Sequence, residues 1–163
     1  MKTRTLLVLL AASAVPFAAY AGSDLSQLSK MKNTGEWETI ATVTLKITGM
    51  PAAMQKPRTT TAKKCLSKDD LAQMSDFTPQ SVNGMTCTMV KKDLSGNTFS
   101  YTMKCSGKEG SLMMNGSTVF DSKDASHSHV EMNGKMDSMP MSMTMDAKSK
   151  RTGDCTPEPK KGG

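Results

Sequence analysis

Cys87 and Cys105 stand nine residues to either side of Gly96, and that symmetry constrains the fold more than any other feature of the chain. The stretches Met85 to Asp93 and Thr98 to Cys105 flank Leu94-Ser95-Gly96-Asn97, a turn signal. In the second stretch Phe99, Tyr101, Met103 and Cys105 alternate with Thr98, Ser100, Thr102 and Lys104. Alternation of period two marks a strand with one buried face. A hairpin centred on Gly96 sets Cys87 directly opposite Cys105, within disulfide reach.

Whether cysteines oxidise depends on the compartment, and the N-terminus speaks to that. Lys2 and Arg4 precede an apolar run from Leu6 to Ala19, interrupted by Ser13 and Pro16, which closes on Ala19-Tyr20-Ala21. This is the pattern of a cleavable secretory signal peptide, cut between Ala21 and Gly22. The run is short for a membrane span, and no later segment is apolar enough to make one. The expected organisation is a signal peptide over 1–21, one disulfide-stapled β domain over 22–155 and a disordered polar tail over 156–163. Export to the periplasm makes disulfides the default state of the four cysteines. With Cys87 paired to Cys105, elimination pairs Cys65 with Cys155. No two cysteines have C-x-x-C spacing, so a structural zinc site is disfavoured.

The rest of the chain reads as further strands. From Glu36 to Thr48, Trp37, Ala41, Val43, Leu45 and Ile47 share one face, and Glu38, Thr42, Thr44 and Lys46 the other. Arg58 to Lys64 is a polar, Thr-rich strand candidate. Ser67-Lys68-Asp69-Asp70 opens a short helix, with Ser67 at the N-cap and two acids on the positive end of the helix dipole. Asn115-Gly116 and Asn133-Gly134 are hairpin signals, because both residues tolerate positive φ. Ser117 to Met132 is one bent strand or two, broken near Ser122-Lys123-Asp124, and Ser138 to Lys148 is the last. The expected fold is mainly β, an antiparallel meander forming a curved sheet or small barrel, with one short α-helix and two disulfides.

Gly35-x-Trp37, Cys65-Leu66-Ser67, Cys87, Cys105 and the closing Lys150-Arg151-x-Gly153-x-Cys155 together resemble the family catalogued as domain of unknown function 3617. The resemblance covers nearly all of the chain after residue 21. It implies a bacterial periplasmic protein and carries no activity.

Composition narrows the function classes. There are 16 Met against one Trp, two Tyr and four Phe. The formal charge of +6 falls to +4 when Lys2 and Arg4 leave. A mild, dispersed excess with few aromatics does not suit nucleic acid. Two His, no G-x-S-x-G elbow, no phosphate loop and no free thiol leave no catalytic constellation, so the expectation is a protein that is not an enzyme.

Two binding readings remain. The first is a monomeric periplasmic domain that takes an apolar ligand or a protein partner, with no cofactor. The second is a Cu(I) or Ag(I) binding protein using Met139, Met141, Met143 and Met145, whose thioethers are soft ligands with no proton to lose. On a strand those four side chains share one face, as core residues also must. A two-residue loop at Asn133-Gly134, or a four-residue loop over 134–137, sets Met139 and Met141 on the face of Ser128, Val130 and Met132. His127 and His129 then point the other way, as a weak two-ligand H-x-H.

Overall fold

A computed structural model describes residues 25–74, 80–82, 84–108, 110–136 and 139–156. The expected signal peptide over 1–21 lies outside the described residues, as does nearly all of the polar tail expected over 156–163. The described chain holds strands β1 (Gly35–Ile47) and β2 (Arg58–Leu66), helix α1 (Lys68–Gln73), and strands β3 (Gln80–Val82), β4 (Met85–Ser95), β5 (Thr98–Gly107), β6 (Gly110–Ser122), β7 (Ala125–Met136) and β8 (Met139–Gly153). They form one antiparallel sheet in the order β2-β1-β8-β7-β6-β5-β4-β3. Strands β3 to β8 are a meander. β1 closes onto the far side of β8 and carries β2 outward as an edge. β2 and β3 are the two outer strands and do not pair with each other. Among the described residues no helix is long and apolar enough to cross a membrane.

One face of this sheet is the core face. Its upper end is closed by a 3-10 segment, Leu25–Lys30, whose Leu25 and Leu28 bury against Phe99 and Phe120. Leu28 is 1% exposed. Met31, Met74, Leu94 and Tyr101 pack around that group, and Met74 brings the end of α1 into it. The Ser67 hydroxyl accepts from the Asp70 N–H at 3.1 Å, and the Asp70 carboxylate accepts from the Ser67 N–H at 2.9 Å. This reciprocal capping box is what lets a six-residue helix start cleanly. Lys64 donates to Asp70 at 2.8 Å, and that bond with those from Ser67 holds the carboxyl below its ordinary range.

The β4–β5 hairpin reaches the expected opposition by its own route. The loop is two residues, Gly96-Asn97, with Ser95 opposite Thr98 and Gly96 at φ +59°. Uninterrupted, that register would leave Cys87 one residue short of Cys105. Val90, 61% exposed, bulges out of the ladder between Met89 and Lys91 and restores the match. Cys87 and Cys105 are disulfide-bonded, as are Cys65 and Cys155.

Two expected turns are absent. Asn115-Gly116 lies inside β6 and Asn133-Gly134 inside β7, each paired with both neighbouring strands. Neither glycine has the positive φ that a two-residue hairpin turn requires. Both are there because something lies where a Cβ would be. At Gly116 it is the Tyr101 ring, and at Gly134 it is the Ser111 carbonyl and the Leu112 backbone. The chain breaks at Ser122-Lys123-Asp124 as one of the two readings allowed, giving β6 and β7.

Candidate binding face and the clasp that holds it

Directly opposed residues in adjacent strands project from the same face, so the register assembles the inner face row by row. Across β1, β8 and β7, Val43 faces Met145, which faces Val130; Leu45 faces Met143, which faces Met132; Ile47 faces Met141, which faces Gly134. The middle row continues. Met132 faces Met114, Met114 faces Met103, and Met103 faces Met89. Five methionines thus stand side by side on five consecutive strands, β4 to β8, all half-buried. Met103, Met132 and Met141 pack against the buried group Met85, Cys87, Cys105 and Leu112. The Tyr101 hydroxyl reaches the Met114 sulfur at 3.9 Å.

The structure therefore places Met141, Met143 and Met145 on the inner face with Val130 and Met132, while Met139 opens the strand at 47% exposure. The faces are as expected although the loop is not, because the observed register differs from the two expected ones by four or eight residues, and an even shift preserves parity. The row across the strands was missed. Its signal was present only as single methionines on the alternating face of each strand, which no local pattern connects.

Beside this row the inner face of β1 forms a cleft of about 300 Å³ lined by Val43, Leu45, Met50, Met54, Lys56 and Arg58. Val43 and Leu45 form its floor. Met50 and Met54 come from the β1–β2 connection, where a 3-10 segment, Ala52–Gln55, follows Pro51. Arg58 stands opposite Val43 at the start of β2. The walls are aliphatic and thioether, and among the described residues the only charges on the lining are two cations, Lys56 and Arg58.

The outer face is polar. His127 Nδ1 lies 3.0 Å from Asp121, and His129 Nδ1 lies 2.7 Å from Asp146 with Nε2 3.4 Å from Glu131. Each histidine of the H-x-H is thus matched to its own carboxylate. No group of three or more His, Cys, Asp or Glu side chains among the described residues is placed to hold a metal. The hydrogen bond to Asp146, then that to Glu131, raises the His129 pKa. Protonated His129 is favoured in the fold, so its contribution to stability is full at acid pH and is lost as pH rises through the raised folded value. Asp146→Asn is expected to return the His129 titration, followed by imidazole NMR shifts, toward the ordinary ~6.5. An unchanged midpoint would rule out that pairing in solution.

The residues shared with the motif of Gly35, Trp37, Arg151 and Cys155 gather at one end of the sheet. Trp37 is 2% exposed and donates from Nε1 to the Asn33 carbonyl at 3.0 Å. Lys32 lies over its ring at 4.1 Å, and burial lowers the Lys32 pKa. The Asn33 N–H donates to the Lys123 carbonyl and its side chain to Asp124, both at 2.9 Å. Arg151 donates from its backbone to the Asp124 carbonyl at 2.8 Å and from Nε to the Thr34 carbonyl at 2.7 Å, and also pairs with Asp154. Gly35, at φ +135°, has the Gly153 carbonyl and the Arg151 guanidinium where a Cβ would go. These residues sew the entry of β1 to the β6–β7 turn and to the exit of β8.

That assembly lies within the region matched by a family model. The model, described as a protein of unknown function (DUF3617), matches residues 32–155. The chain belongs to the DUF3617 family. No curated protein and no solved structure matches it. In this DUF3617 domain the residues that carry the likeness build the clasp and the disulfides, whereas the methionine row and the cationic cleft lie elsewhere on the inner face.

Proposed function

We propose that this DUF3617 protein is an exported, periplasmic, non-enzymatic binding protein that holds an anionic amphiphile on the inner face of its sheet. The observation that carries the reading is the cleft of Val43, Leu45, Met50 and Met54 with Lys56 and Arg58 on its lining. An alkyl chain laid on the aliphatic floor loses its contact with water, worth about 0.8 kcal/mol per methylene. A carboxylate or phosphate head then meets two cations whose long stems cover apolar surface while their charges stay in solvent. The adjoining Val43–Met145 and Leu45–Met143 pairs extend the floor toward β8. Methionine suits such a surface because its three rotatable bonds let it repack around ligands of differing shape. The N-terminal pattern and the two disulfides support export to an oxidising compartment.

Dodecanoate, titrated calorimetrically, is the direct test. Binding to the parent is expected, with Leu45→Glu abolishing it through a charge on the cleft floor. Lys56→Glu together with Arg58→Glu should weaken it by about tenfold or more by repelling the head group, while dodecyltrimethylammonium should not bind the parent. Equal affinity in all three proteins, or preference for the cationic amphiphile, would overturn the reading.

A further inference from the structure

The methionine row supports a site of a different chemistry. We propose that Met114, Met132 and Met143 form a thioether site for a soft monovalent cation, Cu(I) or Ag(I), centred on Met132 and flanked by Met103. The three residues are consecutive register partners on β6, β7 and β8. Adjacent strands lie ~4.8 Å apart, so three unbranched side chains on one face can converge on a single ion. Thioether sulfur binds soft metals without losing a proton. All three residues are half-buried, so an ion can reach them from solvent.

The chemistry has little competition within the fold. All four cysteines of the chain are in disulfides. The two histidines face the opposite side of the sheet and are held by carboxylates. Packing alone is also a weak explanation of the row. Ordering a buried Met costs about 1.5–2 kcal/mol of side-chain entropy against about 0.5–1 for Leu or Ile. Five contiguous methionines are therefore a costly way to fill a face that branched aliphatics would fill more rigidly. Met143 adjoins the floor of the cationic cleft, but Met114 and Met132 do not line that cleft, so variants at these two let each reading fail alone.

The experiment uses the disulfide-intact protein with ¹³C-labelled methionine methyls, titrated with Ag(I) in chloride-free buffer. Cu(I) is then titrated anaerobically against a chromophoric chelator. One equivalent of Ag(I) is expected to shift the methyls of Met114, Met132 and Met143 as a set, while exposed Met54 and Met139 stay in place. Replacing the three by Leu should lower Cu(I) affinity at least a hundredfold, and Met114→Leu with Met132→Leu, neither of which lines the cleft, should leave dodecanoate binding unchanged. Met132→Leu alone should lower it at least tenfold, which keeps the test decisive if the triple variant folds poorly. Shifts that begin at Met54 and Met139, or at the rings of His127 and His129, would overturn the proposal. Retained affinity in Met132→Leu would do the same.

Discussion

Replacing Cys65 and Cys155 together by Ser is expected to lower the unfolding free energy by about 4–5 kcal/mol, the chain-entropy value for a bridge between residues 90 apart. The structure explains why this bridge matters more than the other. Cys65 pairs in register with Glu36, and Glu36 pairs on its other side with Gly153. The disulfide therefore straps across the entry of β1, joining edge strand β2 and the base of α1 to the exit of β8. Without it, among the described residues the edge is held by the β1–β2 ladder and the exposed Lys64–Asp70 bond to α1, and β2 is exposed along nearly its whole length. Cys87 and Cys105 close a loop of separation 18 that strand pairing already holds. Its loss should cost about 3 kcal/mol at most. Urea unfolding followed by the fluorescence of Trp37, the single tryptophan, measures both. A loss below about 1 kcal/mol from the Cys65–Cys155 replacement would show that the clasp holds the strands without its strap.

Gly35→Ala is expected to destabilise the protein by about 3–4 kcal/mol, near the upper range of single substitutions. Two costs combine. A side chain at φ +135° is strained in itself, and the added Cβ falls on the Gly153 carbonyl and the Arg151 guanidinium. The carbonyl cannot move without disturbing the end of β8, and Arg151 cannot move without releasing Thr34. Trp37 follows two residues later, so its emission should shift to the red as Asn33 and the clasp loosen. Thermal and urea unfolding of the variant measure the loss. Parent-like stability and emission would mean that Arg151 has another place to go, and that the clasp is not a single unit.

Much of this architecture can be read locally. Trp37, Val43 and Leu45 on one face of β1, and Phe99, Tyr101 and Met103 on one face of β5, follow from period-two alternation. Ser67 capping Asp70 is a four-residue interaction. Cys87 and Cys105 belong to one short hairpin, and the Val90 bulge completes their opposition. The errors also share one cause. Asn115-Gly116 and Asn133-Gly134 carry strong turn chemistry, but glycine serves equally where a neighbour crowds the backbone. Tyr101 and Leu112 come from other strands, so nothing beside either glycine distinguishes the two uses. The bulge at Val90 was hidden as well, since its effect on register cancelled the offset of the loop.

The candidate sites were legible only in part. Met139, Met141, Met143 and Met145 are visible as a run, and their shared face follows from parity. The row Met89, Met103, Met114, Met132 and Met143 is not visible, because it exists only when five strands are in register. The cleft needs Val43 and Leu45 of β1, Met54 of the connection and Arg58 of β2 at once.

By itself the sequence determined which side chains share a face and where the β4–β5 hairpin and α1 begin, since alternation, capping and short turns act within a few residues. The hairpin then paired Cys65 with Cys155 by elimination. Only the tertiary structure decided that β1 lies between β8 and β2, that two glycines serve close approach, and that methionines from five strands form one row. Strand order and register are set by loop lengths, bulges and contacts between residues far apart in the chain, and a one-residue change in any of them would rebuild the rows.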